Sequence, residues 1–154
     1  MDRSEREDLI ARYREGPEVV EELVRNLDQD ELDRHPADGG WTPREVIQHL
    51  GDSEMMSAMR LRRLLAEDRP TIHAYDEAAF ARKLHYGSRP VEPALAALRA
   101  ARETTLTLLE QLSDEDWSRT GTHTESGPYS VETWLEIYAA HAHDHAEQIR
   151  RALR

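Results

Sequence analysis

The chain has 154 residues, 38% of them hydrophobic and 33% charged, with a formal net charge of −11 and no cysteine. That length suits a single domain spanning residues 1–154. The acidic balance argues against nucleic acid or a membrane surface as partner. The missing cysteines exclude disulfides and any thiolate nucleophile or ligand of the chain's own.

The opening stretch, "MDRSEREDLIARYREG", lacks the apolar segment of a signal peptide, and no apolar run reaches membrane-spanning length. A cytoplasmic protein is expected. Ser4 and Glu7 have the spacing of a capping box, so a helix is expected from there through Tyr13. Gly16-Pro17 is expected to kink or break it, with "PEVVEELVRNL" restarting the helix behind Pro17. "DQDELDRHPADGG" reads as a helical turn and a loop. Thr42, Pro43 and Glu45 form the clearest helix start in the chain: a cap, a first-turn proline and a glutamate three residues after the cap. That helix is expected to run to about Ala66 on the apolar spacing of Val46, Ile47, Leu50, Leu61, Leu64 and Leu65.

"EDRPTIHAYD" reads as a loop, "DEAAFARKL" as a short helix and "HYGSRPVEP" as a further loop. A long helix is expected over about 91–112, carried by Leu95, Leu98, Leu106, Leu109 and Leu112. Residues 113–129 hold turn residues, including Gly121 and Gly127-Pro128. Ser130 can cap a last helix over about 131–153. The expected fold class is all-α: a four-helix bundle with short additional helices in its connections. The connection between the second and third long helices is too long for a plain turn, and loops of that kind more often cover a site.

Helical geometry, about 100° per residue, sorts the histidines of "HAHDH". The buried stripe of the last helix runs through Trp134, Leu135, Tyr138, Ala142, Ile149 and Ala152. His141 and His145 fall on it, one turn apart, while His143 points away with Glu136, Glu147 and Arg150. His49, beside Val46, Ile47 and Leu50, is expected inward or near the seam. Three neutral imidazoles converging from two helices would suit a divalent metal and leave positions open for water or substrate. Taken alone, an H-x-x-x-H pair also occurs by chance, and a histidine on an apolar face is often a hydrogen-bonded core residue. Asp52, one turn from His49, could orient its imidazole or pair with an arginine. His35, His73, His85 and His123 read as ordinary loop residues, and Trp41, Trp117 and Trp134 as packing.

Three stretches, "GGWTPREVIQHLGDSE", "EDRPTIHAYDEAAFA" and "YSVETWLEIYAAHAHDHAEQI", resemble the DinB-like superfamily, and within it the YfiT-type group assigned as metal-dependent hydrolases. The resemblance implies His49, His141 and His145 as ligands of a nickel or zinc ion in a four-helix bundle, usually a homodimer. It places the loop holding Tyr75, Asp76 and Glu77 near the metal, against a plainer reading of Asp76 as a helix cap and Tyr75 as packing. Members of the superfamily include hydrolases without known substrates and enzymes using low-molecular-weight thiols such as bacillithiol or mycothiol. A small-molecule substrate is implied, acted on by hydrolysis or by transfer of a thiol co-substrate. Hydrolysis needs a proton acceptor, for which Asp52, Asp76 and His143 are the candidates. Their spacing is unconvincing, which tilts the reading toward thiol transfer. The alternatives are a non-catalytic metal-binding bundle that holds a small molecule or protein partner, and a structural dimer with histidines satisfied in its core.

Overall fold

The computed structural model describes residues 1–154. Four long helices carry it: α1 (Arg3–Val24), α3 (Pro43–Ala66), α5 (Glu92–Leu109) and α7 (Val131–Ala152). Between them lie the short helices α2 (Gln29–Leu32), α4 (Glu77–Lys83) and α6 (Asp114–Trp117), and a 3₁₀ turn at Tyr86–Ser88. Three short strands complete the chain: β1 (Thr71–Ile72), β2 (Thr120–His123) and β3 (Gly127–Ser130). No helix is long and apolar enough to cross a membrane.

The caps follow side-chain chemistry closely. Thr42 accepts from the Glu45 backbone N–H while Glu45 reaches back to the Thr42 N–H, and Ser130 caps α7 through the Thr133 N–H. At α1 the expected cap is displaced: Asp2, not Ser4, accepts from Glu5, which returns the bond to the Asp2 N–H. The third long helix is shorter at both ends than the leucine spacing suggests, running from Glu92 to Leu109.

The larger correction concerns Gly16-Pro17. Both are buried inside α1, which runs through them unbroken. A proline at position 17 cannot donate to the Tyr13 carbonyl one turn back. The Arg102 guanidinium takes that place, with NH1 donating to Tyr13 O at 2.6 Å. Gly16 makes the approach possible, because a Cβ there would lie 2.3 Å from Arg102 NH1.

α1 packs against α7 and α5, and α3 packs against the same two helices. Successive long helices α1 and α3 therefore face each other across the bundle's diagonal. A fully buried polar cluster joins all four at the centre. Tyr13 (α1) donates its hydroxyl to Glu54 Oε1 (α3) at 2.8 Å, and Arg102 (α5) donates NH2 to Tyr138 O (α7) at 2.9 Å. Arg102 Nε also lies 3.0 Å from Glu54 Oε2, a charge contact outside good hydrogen-bond alignment. Apolar clusters lie to either side, one around Trp134, Leu61 and Leu106, the other around Ile47, Leu98 and Ile149.

The strands form a sheet in the order β1-β2-β3, with β1 parallel to β2 and β2 antiparallel to β3. The all-α expectation holds for the body of the fold, while residues 113–129 contain this hairpin and α6 as well as turns. The sheet joins the long α3–α5 connection to the segment before α7. His123, paired with Ile72 and Gly127, stands at its end.

Candidate metal centre

His49 comes from the second turn of α3, and His141 and His145 from consecutive turns of α7. Their Nε2 atoms converge: His49 to His141 at 3.3 Å, and His145 to His141 at 3.2 Å. Two nitrogen ligands on one tetrahedral zinc, with bonds of about 2.0–2.1 Å, stand about 3.3 Å apart. These two spacings match a shared ion, and all three ligand atoms lie within 4.8 Å of one another. They fit hydrogen bonding less well. His145 Nδ1 donates to Gln148 Oε1 at 2.7 Å, so its Nε2 carries a lone pair. The Nδ1 atoms of His49 and His141 are buried without partners. The donor set, three neutral imidazoles with no carboxylate among them, suits a borderline divalent transition metal.

Burial keeps these rings neutral. It lowers the His49 pKa to about 3 and that of His141 to about 2, with the neighbouring imidazoles adding to the effect. His145 is also lowered by burial, against the opposing pull of Gln148, Glu77 and Asp144. The lone pairs are thus available at neutral pH without proton loss.

A cavity of about 230 Å³ opens beside His141, lined by Ser53, Arg60, Tyr75, Glu77, His123 and Tyr138, among others. Three larger hollows contain no histidine: two, of about 450 and 490 Å³, lie along the N-terminal part of α1, and one of about 380 Å³ lies by its C-terminal end. The expected substrate loop is split by the structure. Tyr75 and Glu77 face the cavity, whereas Asp76 caps α4 through the Ala79 N–H and is not part of the lining. Asp52 does not reach His49. It accepts from the buried Tyr86 hydroxyl at 2.6 Å. No arginine pairs with it within 4.0 Å. His143 faces away from the other two, yet it is half-buried, with Nε2 donating to Arg12 O at 2.9 Å. Trp41 packs on the His49 ring, centroids 5.2 Å apart.

Gln148, Arg60 and His123 escaped the sequence reading. Gln148 lies one turn beyond His145 on the same face, a spacing that could have been read. His123 could not be placed without the sheet.

The fold and site define a helical bundle that gathers three histidines, able to hold a metal ion, from two helices beside a small polar cavity. The chain belongs to the DinB superfamily, whose profile matches residues 12–149. An Oceanobacillus iheyensis protein, provisionally named a metal-dependent hydrolase, is 37% identical over 133 residues, 86% of this chain and 77% of that one. A Bacillus cereus protein of the same provisional name is 34% identical over 133 residues, 86% and 76% of the two chains. Among solved structures, YfiT from Bacillus subtilis, described as a probable metal-dependent hydrolase with an unusual four-helix bundle topology, superposes with a TM-score of 0.93. It shares 29% identity over 99% of this chain and 87% of its own. The mycothiol-dependent maleylpyruvate isomerase shares the fold, at a TM-score of 0.67 and 17% identity, over 94% of this chain and 60% of the isomerase.

Proposed function

We propose that the chain is a metal-dependent enzyme acting on a small molecule, with His49, His141 and His145 holding one divalent ion, zinc or nickel, through their Nε2 atoms. The convergence of those three atoms beside the cavity carries the reading. A bound ion supplies Lewis acidity, making a water or thiol nucleophilic at neutral pH and polarising an electrophile. The protein's own groups do the rest. Gln148 fixes the tautomer and orientation of His145. Tyr75 and Tyr138 wall the cavity, and Glu77 offers a carboxylate within it as proton acceptor. Glu77 supplies what Asp52 and Asp76 do not, and this favours hydrolysis. Thiol transfer remains the second reading. The chain has no cysteine, so the thiol would arrive as a co-substrate.

The test is elemental analysis of protein made without a histidine tag. About one transition metal per chain is expected, lost in each of His49→Ala, His141→Ala and His145→Ala and kept in His143→Ala. With that metal in place, ester and amide hydrolysis and thiol transfer to electrophiles can be compared directly. Absence of metal, with no uptake of added zinc, nickel or manganese, overturns the enzyme reading in favour of a binding module. Loss in His143→Ala overturns the ligand set. The proposal extends to a homodimer, supported by exposed Met55 and Met59 one turn apart on α3. Light scattering checks it.

A further inference from the structure

The cavity beside His141 contains a cation without a counter-ion. Arg60, half-buried on α3, donates NH1 to the Tyr138 hydroxyl at 2.9 Å and NH2 to the His73 carbonyl at 2.8 Å. Both acceptors are neutral. No carboxylate lies within 4.0 Å of its guanidinium, although acidic residues outnumber basic ones 31 to 20 and Glu77 and Glu125 line the same cavity. The two neutral bonds fix the orientation of the fork and leave its other N–H groups free.

The surroundings add donors. His123 Nδ1 accepts from the backbone N–H groups of Glu125 and Ser126, both at 3.3 Å, which leaves the proton on Nε2. Burial, then the Arg60 charge, lowers its pKa and keeps the ring neutral. The Tyr75 ring lies under the Arg60 Cζ at 5.9 Å, and its hydroxyl is sealed from solvent without a protein partner. A charged fork and an imidazole N–H at one small cavity call for an anionic oxygen acceptor.

We propose that this cavity seats the carboxylate of a small molecule on Arg60, with His123 as a second donor, so that the rest of the molecule reaches the three-histidine centre. The inference rests on the reading of that centre as the site of reaction. Glu77 and Glu125, both exposed, set the selectivity: a polyanion meets two carboxylates where a monocarboxylate meets one cation. The carboxylate can belong to the electrophile or to a thiol co-substrate.

The experiment titrates the zinc-treated 154-residue chain with propionate and, separately, with its neutral isostere propionamide, following the Arg60 Nε–H and His123 signals by NMR. Metal content is measured on the same samples. Propionate is expected to shift both signals and to bind roughly tenfold or more tighter than propionamide, the scale of a charge-assisted contact. Arg60→Met should abolish the preference, and His123→Ala, which leaves both Arg60 anchors intact, should reduce it. His145→Ala should keep it even though metal is lost, which separates failure of the metal reading from failure of this one. Pyrophosphate should not compete. Equal binding of acid and amide in the wild type overturns the proposal. So does a preference that survives Arg60→Met or vanishes in His145→Ala, since the carboxylate would then sit on the metal. On cobalt-loaded protein, 3-mercaptopropionate is compared with 2-mercaptoethanol by the thiolate absorption band. Tighter binding of the acid, with displacement of propionate, assigns the carboxylate to the thiol. Equal binding with propionate still seated assigns it to the electrophile, and either result supports the seat.

Discussion

A histidine ligand serves a metal best when its second nitrogen is held, because that bond sets both the tautomer and the ring direction. His145 alone of the three has such a partner, Gln148, at 2.7 Å. His49 and His141 have sealed Nδ1 atoms and depend on packing, His49 against Trp41 and His141 against Tyr138. Gln148→Ala is therefore expected to weaken metal binding by about 10–100-fold while leaving the stoichiometry at saturating metal unchanged. Chelator competition measures the affinity, and quenching of tryptophan fluorescence gives a local signal from Trp41. An unchanged affinity would mean that packing alone orients His145. The convergence of the three histidines was legible from helical spacing, because a side chain on a regular helix inherits its direction from its neighbours. The partners of Asp52 and His49 were not, because one-turn spacing says that two side chains share a face and not which atoms meet. Asp52 turned to Tyr86, a residue of a distant loop.

At the scale of elements, α3 and α7 could be read from caps and apolar spacing almost to the residue. The course of α1 could not. Pro17 breaks a helix when its lost hydrogen bond goes unreplaced, and the replacement comes from Arg102, far along the chain. The sheet was hidden for another reason: "TGTH" and "GPYS" carry no alternation of apolar residues, and the second partner of "TGTH", Thr71–Ile72, lies far back along the chain. That omission also concealed His123 as a cavity residue. The central cluster explains why four separate helices adopt this order, since Tyr13, Glu54, Arg102 and the Tyr138 carbonyl each come from a different one. Arg102→Met strands Glu54 in the core and is expected to cost about 3–5 kcal/mol in urea denaturation. Gly16→Ala forces a Cβ against Arg102 and against Ala142, 2.8 Å away. About 1–3 kcal/mol is expected from that overpacking. A neutral Gly16→Ala would show that α1 can shift away from α7 without loss.

For the whole molecule, the same histidines link metal, protons and stability. In the unfolded chain an imidazole takes up a proton near pH 6.5. In the folded, metal-free protein His49 and His141 resist protonation down to about 3 and about 2. Between those limits the unfolded state binds more protons than the folded one, so stability falls as pH falls from about 6.5 toward 3. Above about 6.5 both states hold neutral rings, and this contribution is flat. Glu54 works in the opposite sense: burial raises its pKa, so its charging opposes the fold as pH rises. A His49→Gln, His141→Gln double variant isolates the histidine part. In the presence of chelator its melting temperature should decline less than that of the wild type between pH 6.5 and 4.5. Added zinc should raise the wild-type melting temperature at pH 7.5 by mass action, and the increment should shrink on acidification as protons compete for the ligands. Thermal scans with and without zinc across this range measure both effects. A zinc increment that survives in the double variant would place the binding elsewhere on the chain, and parallel pH slopes for the two proteins would mean that the His49 and His141 rings already find protons, or other partners, within the fold.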